Sequence, residues 1–337
     1  MTAQKTLYIT GVAGFLGSHL ADHFLAAGHR VLGCDTLIGG YRQNVPEGVG
    51  FFESDILDLA AMRQQMKGVD VVVHAAALAY EGLSVFSPRL VTENIVGGSA
   101  SVFSAAISCG VSRVVFCSSM ARYGACDVPF REEMTCRPQD PYGIGKVAAE
   151  DLLRNLGEVH GFDWSIAVPH NIIGPRQKYD DPFRNVASIM VNLMLQGRQP
   201  IIYGDGSQKR CFSYVADVVP GLARMALDES LHGATINVGP DEEFVSVLEL
   251  ATRIARLLDF PLDPVFVPAR PQEVLLATCS ADRARNLLGY RTEHTLDEGL
   301  SKVIEYVRNR GPLPFSYHLD VEILNEKTPA TWTKHMF

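Results

Sequence analysis

The sequence predicts an α/β fold, a doubly wound parallel sheet followed by a smaller α/β C-terminal lobe. Three observations favour it. Short apolar runs alternate with helical patterns over the first 170 residues, a glycine-spaced turn joins the first run to the first helix, and the alternation loosens afterwards. The chain has 337 residues, 47% hydrophobic and 20% charged, so it can bury a large core in two units.

The first thirty-five residues contain a dinucleotide-binding pattern. Residues 7–9 form a short buried strand, and Gly11, Gly14 and Gly17 lie in the turn into a helix that ends at Gly28. Glycines allow the backbone to approach a phosphate, and the helix N-terminus offers free N–H groups. Ordinary turns also produce this glycine spacing, but its place between a strand and a helix favours nucleotide binding.

The next two strands add adenosine contacts. Residues 30–34 form a strand that ends at Asp35, whose carboxylate accepts hydrogen bonds from ribose hydroxyls and repels a ribose phosphate, which favours NAD over NADP. After a third strand at 50–53, Asp55 meets the adenine amino group and Ile56 its face. Alternatively, or in addition, Asp55 caps the following helix, residues 57–66.

The fourth strand, residues 69–73, is nearly all valine, as a parallel strand buried on both faces requires. His74 follows it, and a histidine at a strand end is more often a satisfied core residue than a catalytic one. The next three residues are small enough for a flat cofactor to lie against their backbone; they are Ala75, Ala76 and Ala77.

A long helix, residues 88–109, carries Asn94, and the fifth strand, residues 113–117, ends at Ser118 and Ser119. Hydroxyls at the end of a central parallel strand lie where open α/β sheets bind ligands, although the same residues also serve as caps and turns.

Tyr142 and Lys146 are four residues apart at the start of another helix, so they share one helical face. An ammonium near a phenol lowers the pKa of the phenol, which makes Tyr142 a candidate general base. The spacing is common in helices, but it gains weight downstream of a nucleotide fold and a Ser-Ser strand end.

The remaining elements alternate less regularly. Strands are expected at 163–168, 200–203, 235–238 and 264–267, and helices at 183–196, 215–227, 246–258, 281–288 and 296–307. The predicted domains are 1–169 for the dinucleotide, with 213–238 returning to it, 170–310 for a substrate lobe, and a C-terminal tail, 311–337, which packs over the surface or meets a partner.

The formal net charge of −8 argues against a nucleic-acid surface, because phosphate backbones need a basic patch. Seven cysteines without a C-x-x-C pair indicate reduced core residues, with no disulfide framework or metal site. The first strand begins near the N-terminus, which leaves no room for a signal peptide, and we expect no apolar run to reach the length that spans a membrane. We therefore expect a cytoplasmic protein.

Five segments together resemble the extended short-chain dehydrogenase/reductase family, specifically its NAD-dependent nucleotide-sugar epimerase/dehydratase branch of the UDP-glucose 4-epimerase type. They are the glycine turn with Phe15 and Leu16, Asp35, Ser118-Ser119, Tyr142 to Lys146, and residues 210–215. The resemblance covers about residues 5–308. It implies a Rossmann domain that holds NAD, to which Phe15, Leu16, Asn94 and Ser118 also contribute, and a C-terminal lobe for a nucleotide sugar.

The resemblance also implies roles for individual residues. Ser119 hydrogen-bonds the 4-hydroxyl of the sugar, Tyr142 removes its proton, and Lys146 binds the nicotinamide ribose. Asn171 is similar to a substrate-lobe asparagine of the family. The substrate contacts implied in the lobe are completed by Met120, Arg210, Arg270 and Glu273, with the two arginines pairing with the pyrophosphate unless they form surface ion pairs.

The chain departs from the family pattern at informative positions. Dehydratases of the family carry a Thr-Asp-Glu run whose acids transfer protons, but this chain has Ser119, Met120 and Ala121. Pro169 replaces a common arginine, and Gln272-Glu273 replaces glycine and aspartate. The sequence therefore favours a 4-epimerase over a 4,6-dehydratase or decarboxylase. A 4-dehydrogenase that releases the keto product, or a non-catalytic NAD-binding protein, remains an alternative.

The family resemblance further implies a homodimer. The helices 88–109 and 142–160 would pair with their copies across a two-fold axis, although both could instead simply cover the sheet.

Overall fold

The computed structural model describes residues 4–337. Its strands are β1 (Thr6–Thr10), β2 (Arg30–Asp35), β3 (Gly50–Glu53), β4 (Val71–His74), β5 (Arg113–Cys117), β6 (Asp163–Pro169), β7 (Ile172–Ile173), β8 (Ile201–Tyr203), β9 (Lys209–Arg210), β10 (Ser213–Tyr214), β11 (Thr235–Val238), β12 (Val245–Ser246), β13 (Val265–Val267) and β14 (Leu276–Ala277). Seven of them form one parallel sheet in the order β11-β6-β5-β4-β1-β2-β3. The predicted doubly wound parallel α/β class is confirmed.

Helices cover both faces of this sheet. The helices of the described residues, including those of the C-terminal lobe, are α1 (Phe15–Ala26), α2 (Leu59–Gln65), α3 (Glu81–Ser84), α4 (Pro88–Ser108), α5 (Pro141–His160), α6 (Val186–Leu195), α7 (Val215–Leu227), α8 (Val247–Leu258), α9 (Asp282–Leu288), α10 (Leu296–Arg310) and α11 (Ala330–Thr333). Strand β1 shows the two-sided burial: Leu7 and Ile9 pack towards α1 and α7, whereas Tyr8 packs towards α4 and α5. Because both faces are buried, the central strands are almost entirely apolar.

The strand order reverses direction at β1, which has β2 on one side and β4 on the other. In open α/β sheets this reversal leaves a crevice at the carboxyl ends of the strands, and ligands bind there. The glycine turn follows β1, and the three alanines follow β4. The topology therefore brings two predicted cofactor segments to one crevice.

Helix α2 starts later than predicted. Its N-cap is Asp58, whose side chain accepts a hydrogen bond from the backbone N–H of Ala61 at 3.0 Å. The expectation that Asp55 caps this helix is wrong: the Asp55 carboxylate accepts from the N–H of Leu57 at 2.9 Å, in the turn before the helix. This bond leaves Asp55 beside the nucleotide crevice.

Helix α4 is 21 residues long and, by length and composition alone, apolar enough to cross a membrane. The expectation that no apolar run reaches that length is therefore wrong. Its C-terminal half, however, packs on the sheet of this domain, where Val102 and Phe103 are fully buried, and a π-helical turn interrupts it at Glu93–Gly97. Such burial is typical of a core helix of a globular protein.

The C-terminal lobe combines three small sheets with α6, α8 and α10, which share a second apolar core. Between lobe segments, α7 and β11 return to the main sheet, where β11 pairs with β6. The domain boundaries at residues 169, 310 and 311 stay a prediction.

Candidate active site

The glycine turn packs too closely for side chains at two of its positions. A Cβ on Gly17 would lie 2.1 Å from the Gly11 carbonyl oxygen, and one on Gly11, where φ is +75°, would lie 2.9 Å from Ala76 Cα. Gly14 caps α1 without a side-chain hydrogen bond, and no acidic residue occupies the first turn. The N–H groups of the first turn of α1 therefore remain available to a pyrophosphate.

Asp35 ends β2 beside this turn and is buried. Its two carboxylate oxygens accept from the backbone N–H groups of Ala13 (3.0 Å) and Leu37 (2.7 Å). Burial raises the pKa of Asp35, and these hydrogen bonds oppose the rise. The carboxylate thus organises the turn itself, while its remaining lone pairs can still accept from ribose hydroxyls.

One cavity of about 470 Å³ collects every predicted cofactor residue. Its wall includes the glycine turn with Phe15 and Leu16, Asp35, Asp55, Ile56, the three alanines after β4, Asn94, Ser118, Tyr142 and Lys146. Asn94 Oδ1 accepts from the N–H of Leu78 at 2.8 Å, which holds the segment after the alanines. These residues fit NAD, because the glycines leave no room for side chains at the phosphates and a carboxylate stands at the end of β2.

His74 lies behind the cavity. Its ring nitrogens are within 2.7 Å of Thr10 Oγ1 and 2.9 Å of Ser99 Oγ, and burial lowers its pKa to about 3. The interpretation of His74 as a satisfied core residue is confirmed.

The two serines after β5 differ. Ser118 Oγ donates at 2.5 Å to Glu150, a fully buried carboxylate that also pairs with Arg122 and Arg154. Ser119 is partly exposed in the cavity, and its Oγ accepts from the N–H of Ala121 at 3.2 Å. Because the Ser118 hydroxyl donates its proton to Glu150, it can contact a cofactor only as a hydrogen-bond acceptor.

Tyr142 lies in the first turn of α5, which Asp140 caps by accepting from the N–H of Gly143 at 2.9 Å. Burial raises the pKa of Tyr142 above its ordinary value, a hydrogen bond with Ser119 lowers it, and the Glu81 carboxylate raises it. The prediction that Lys146 brings this pKa down towards neutral is therefore wrong.

Lys146 explains that result. Its Nζ donates to the Cys117 carbonyl at 2.8 Å and lies 5.8 Å from the centre of the Tyr142 ring. Burial lowers the pKa of Lys146 to about 8, so the ammonium is itself destabilised. The arrangement places the ammonium behind the ring, against the cavity wall, where a ribose can reach it.

Next to Ser119, Met120 and Ala121 are buried and have no group that can exchange a proton. Asn171, in a left-handed conformation with φ of +40°, donates from Nδ2 to the Met120 sulfur at 3.3 Å and to the Cys211 carbonyl at 2.9 Å. Asn171 thereby joins the substrate lobe to the Ser119 turn and fixes the Met120 side chain.

The two arginines that were predicted to bind a pyrophosphate both line the cavity, but they differ in their hydrogen-bond partners. Arg270 donates to Glu273 at 2.9 Å, and its Nε is a buried donor without a hydrogen-bond partner in the described chain. Arg210 donates to the carbonyls of Val274 (2.5 Å) and Leu275 (3.2 Å). Glu273 therefore already neutralises Arg270, whose buried Nε stays available to an anion, whereas no carboxylate among the described residues pairs with Arg210.

Sequence reasoning missed three charged residues of the cavity wall: Glu81, Asp140 and Arg184. Burial first, and Glu81 second, raise the pKa of Asp140 to about 7. Arg184 donates to the Gly39 carbonyl at 2.8 Å and lies over the Tyr80 ring at 5.2 Å. Only Asp140 carried a sequence signal, since it precedes Pro141 at a helix start.

Comparison with known proteins shows which families and structures the chain is similar to. Residues 7–239 match the model of the NAD dependent epimerase/dehydratase family. The chain is 36% identical over 319 residues to a UDP-glucose 4-epimerase of Mycolicibacterium smegmatis, covering 91% of this chain and 99% of that protein. It is 29% identical over 321 residues to a UDP-N-acetyl-alpha-D-glucosaminuronate decarboxylase of Bacillus cytotoxicus, covering 90% and 98%.

Among solved structures, the fold is similar to a Thermus thermophilus UDP-glucose 4-epimerase in complex with NAD, with a TM-score of 0.83 and 31% identity, covering 90% of this chain and 99% of that one.

Proposed function

This chain belongs to the NAD dependent epimerase/dehydratase family and uses NAD, and we propose that it is a nucleotide-sugar 4-epimerase acting through a transient 4-keto sugar. One observation carries the proposal: Ser119 and Tyr142 face one cavity, whereas Met120 and Ala121 offer no proton-transfer group. The site can therefore oxidise and reduce a carbinol carbon without eliminating a neighbouring hydroxyl.

In this mechanism Ser119 orients the 4-hydroxyl of the sugar and Tyr142 accepts its proton. When bound, NAD would accept the hydride of sugar carbon 4 and return it, and the positive charge of its nicotinamide would favour the tyrosinate form of Tyr142. Lys146 holds the nicotinamide ribose from the wall of the cavity. After the keto sugar turns over, Tyr142 returns the proton to the new hydroxyl, so the enzyme ends each cycle in its starting protonation state.

The carboxylates near Tyr142 do not replace the missing acid pair of the dehydratases. Asp140 Oδ1 is held by the Gly143 N–H and lies 3.4 Å from Ser84 Oγ, so this carboxylate caps α5. Glu81 belongs to α3 and acts on Tyr142 through its charge, by raising the pKa of the phenol. Glu81→Gln should therefore preserve the reaction outcome and change only its pH dependence.

The test is incubation of the purified, NAD-loaded protein with UDP-, GDP-, CDP- and dTDP-hexoses, with products resolved by NMR. We expect interconversion of a pair of 4-epimers without net NADH. Stoichiometric NADH with a keto product and no interconverted sugar would instead identify a nucleotide-sugar 4-dehydrogenase. A product that has lost water or carbon dioxide would contradict the argument from Met120 and Ala121.

We further propose a cytoplasmic homodimer. Two apolar side chains of α5, Ile144 and Val159, are 53% and 66% exposed, which suits a helix that pairs with a copy of itself. Seven cysteines without a C-x-x-C pair suit a reducing compartment. A monomeric mass by light scattering, unchanged by Ile144→Glu, would contradict the dimer.

A further inference from the structure

The C-terminal segment, residues 311–337, is partly buried in the protein. Trp332 is 2% exposed, and its ring packs edge-on against Phe86, with centroids 5.8 Å apart, and against Phe183, at 5.5 Å. Phe86 lies between α3 and α4, whereas Phe183 precedes α6 of the lobe. The segment therefore bridges the NAD-binding domain and the lobe.

One end of the bridge is fixed at the start of α4. Ser87 Oγ donates to the Asp320 carbonyl at 2.9 Å, and the Glu322 carboxylate accepts from the N–H groups of Arg89 and Leu90, both at 3.0 Å. Glu322 thereby supplies the helix cap that the Ser87 side chain does not provide. Three hydrogen bonds therefore hold the segment at this end.

The other end is fixed on the lobe. Thr331 Oγ1 lies 2.5 Å from the Tyr203 hydroxyl, and Arg198 donates to the Met336 carbonyl at 2.8 Å. The Tyr317 hydroxyl accepts from the Phe337 N–H at 3.1 Å and donates to the Thr331 carbonyl. These bonds connect the backbone of Phe337 to Tyr203 through Tyr317 and Thr331.

Phe337 contributes to the wall of the same cavity that holds Tyr142. Tyr203, in the same wall, lies under the Arg270 guanidinium, 4.6 Å from the ring centre, and the hydrogen bonds through Tyr317 and Thr331 connect Phe337 to this arginine end of the cavity. A nucleotide sugar with its sugar at Tyr142 and its diphosphate at Arg270 extends its nucleoside past the arginine. Aromatic rings there present the flat apolar surface that a base requires.

We propose that Phe337 is a specificity-determining residue, which contacts the nucleoside of the substrate. The C-terminal segment, residues 311–337, holds this part of the cavity wall in place. The inference rests on the proposed function, because it assumes a nucleotide-sugar substrate. It adds a contact that no motif of the chain contains.

The test compares Phe337→Ala with Leu324→Ala, a control in the same segment whose side chain is 67% exposed. Titration calorimetry measures binding of UDP to the NAD-loaded proteins, and initial rates give KM and kcat for a UDP-hexose. We expect Phe337→Ala to weaken UDP binding and raise KM about tenfold, within the range for loss of a base–aromatic contact, with kcat changed less than about twofold. Leu324→Ala should match the wild type.

NAD affinity and the melting temperature verify folding of each variant, and Phe337→Leu, which keeps an apolar side chain, should give an intermediate affinity. Equal UDP affinity in the wild type and Phe337→Ala, or a lower kcat at unchanged KM, overturns the proposal. Wild-type protein that binds no nucleoside diphosphate overturns it together with the proposed function. If UDP binds tightly but no sugar interconverts, only the proposed function fails, and the affinity comparison still decides the role of Phe337.

Discussion

Tyr142→Phe separates the proposed catalytic role of this residue from its structural one. The change removes one hydroxyl and keeps the ring, which is 7% exposed and packs against the apolar cluster that includes Ala121 and Leu83. The variant loses the interaction of the phenol hydroxyl with Ser119 and no ring contacts. The expected cost in the free energy of unfolding is about 1 kcal/mol, the net value of one such bond.

The effect on the reaction should be much larger. A positioned general base contributes roughly 10²- to 10⁴-fold, equivalent to about 3–5 kcal/mol of activation free energy. Met120 and Ala121 cannot replace it, and Asp140 is held as a helix cap. We therefore expect kcat to fall at least a hundredfold, while binding of NAD and UDP stays within about threefold of the wild type.

Tyr123→Phe is the matched control. Tyr123 is fully buried, and its hydroxyl donates to Asn237 at 2.7 Å and accepts from Arg122 at 3.1 Å, away from the cavity. Loss of these two bonds should cost about 1–3 kcal/mol, or about 1–4 °C in melting temperature for 337 residues, and the variant should keep its rate. NMR-monitored epimerisation, calorimetry and thermal melts provide the measurements. A Tyr142→Phe enzyme within threefold of the wild-type rate would refute the reasoning and favour a non-catalytic NAD-binding protein.

Three further changes test the site. Asp35→Ala should weaken NAD binding and reduce the preference for NAD over NADP, measured as the ratio of the two dissociation constants. An unchanged ratio would contradict the proposal that Asp35 selects NAD. Gly17→Ala should abolish NAD binding in titrations, because its Cβ would lie 2.1 Å from a backbone oxygen, whereas a Cβ at Gly28 meets nothing within 4 Å and Gly28→Ala should cost only about 1 kcal/mol. Asp140 has a raised pKa of about 7, so its stabilising contribution is complete below about pH 4 and is lost as pH rises through 7. In urea denaturation, Asp140→Asn should therefore gain stability relative to the wild type between pH 5 and pH 8, and a constant difference argues against the raised pKa.

Local sequence patterns predict the elements that local physics determines. The bounds of β5, α7 and β11 agree with the predicted 113–117, 215–227 and 235–238, because continuous apolar runs and a 3.6-residue period mark them directly. The predicted start of helix α2 is two residues too early, since Asp55 and Asp58 are both plausible caps and only the geometry selects Asp58. Confusion between adjacent capping residues is expected where two aspartates precede one helix.

Contacts between distant residues have no sequence signal. Glu322 caps α4 from more than 230 residues away, and Phe337 reaches the cavity through bonds to Tyr317 and Thr331. The pKa of Tyr142 likewise depends on how deeply the folded chain buries the phenol, so the i,i+4 spacing to Lys146 predicts its direction wrongly. Periodicity predicts which face of an element is buried, but it does not predict which remote segment covers that face.

The sequence alone does not distinguish the roles of Ser118 and Ser119. Both are candidates, because both follow a central strand. Successive side chains of an extended chain point to opposite sides, so the two hydroxyls cannot serve the same site equally. Ser118 turns to the buried Glu150, and Ser119 turns to Tyr142. The choice depends on Glu150, which is on α5 and needs hydrogen-bond partners because it is fully buried. The packing of α5 therefore decides which serine donates to Glu150 and which is left for the proposed substrate contact.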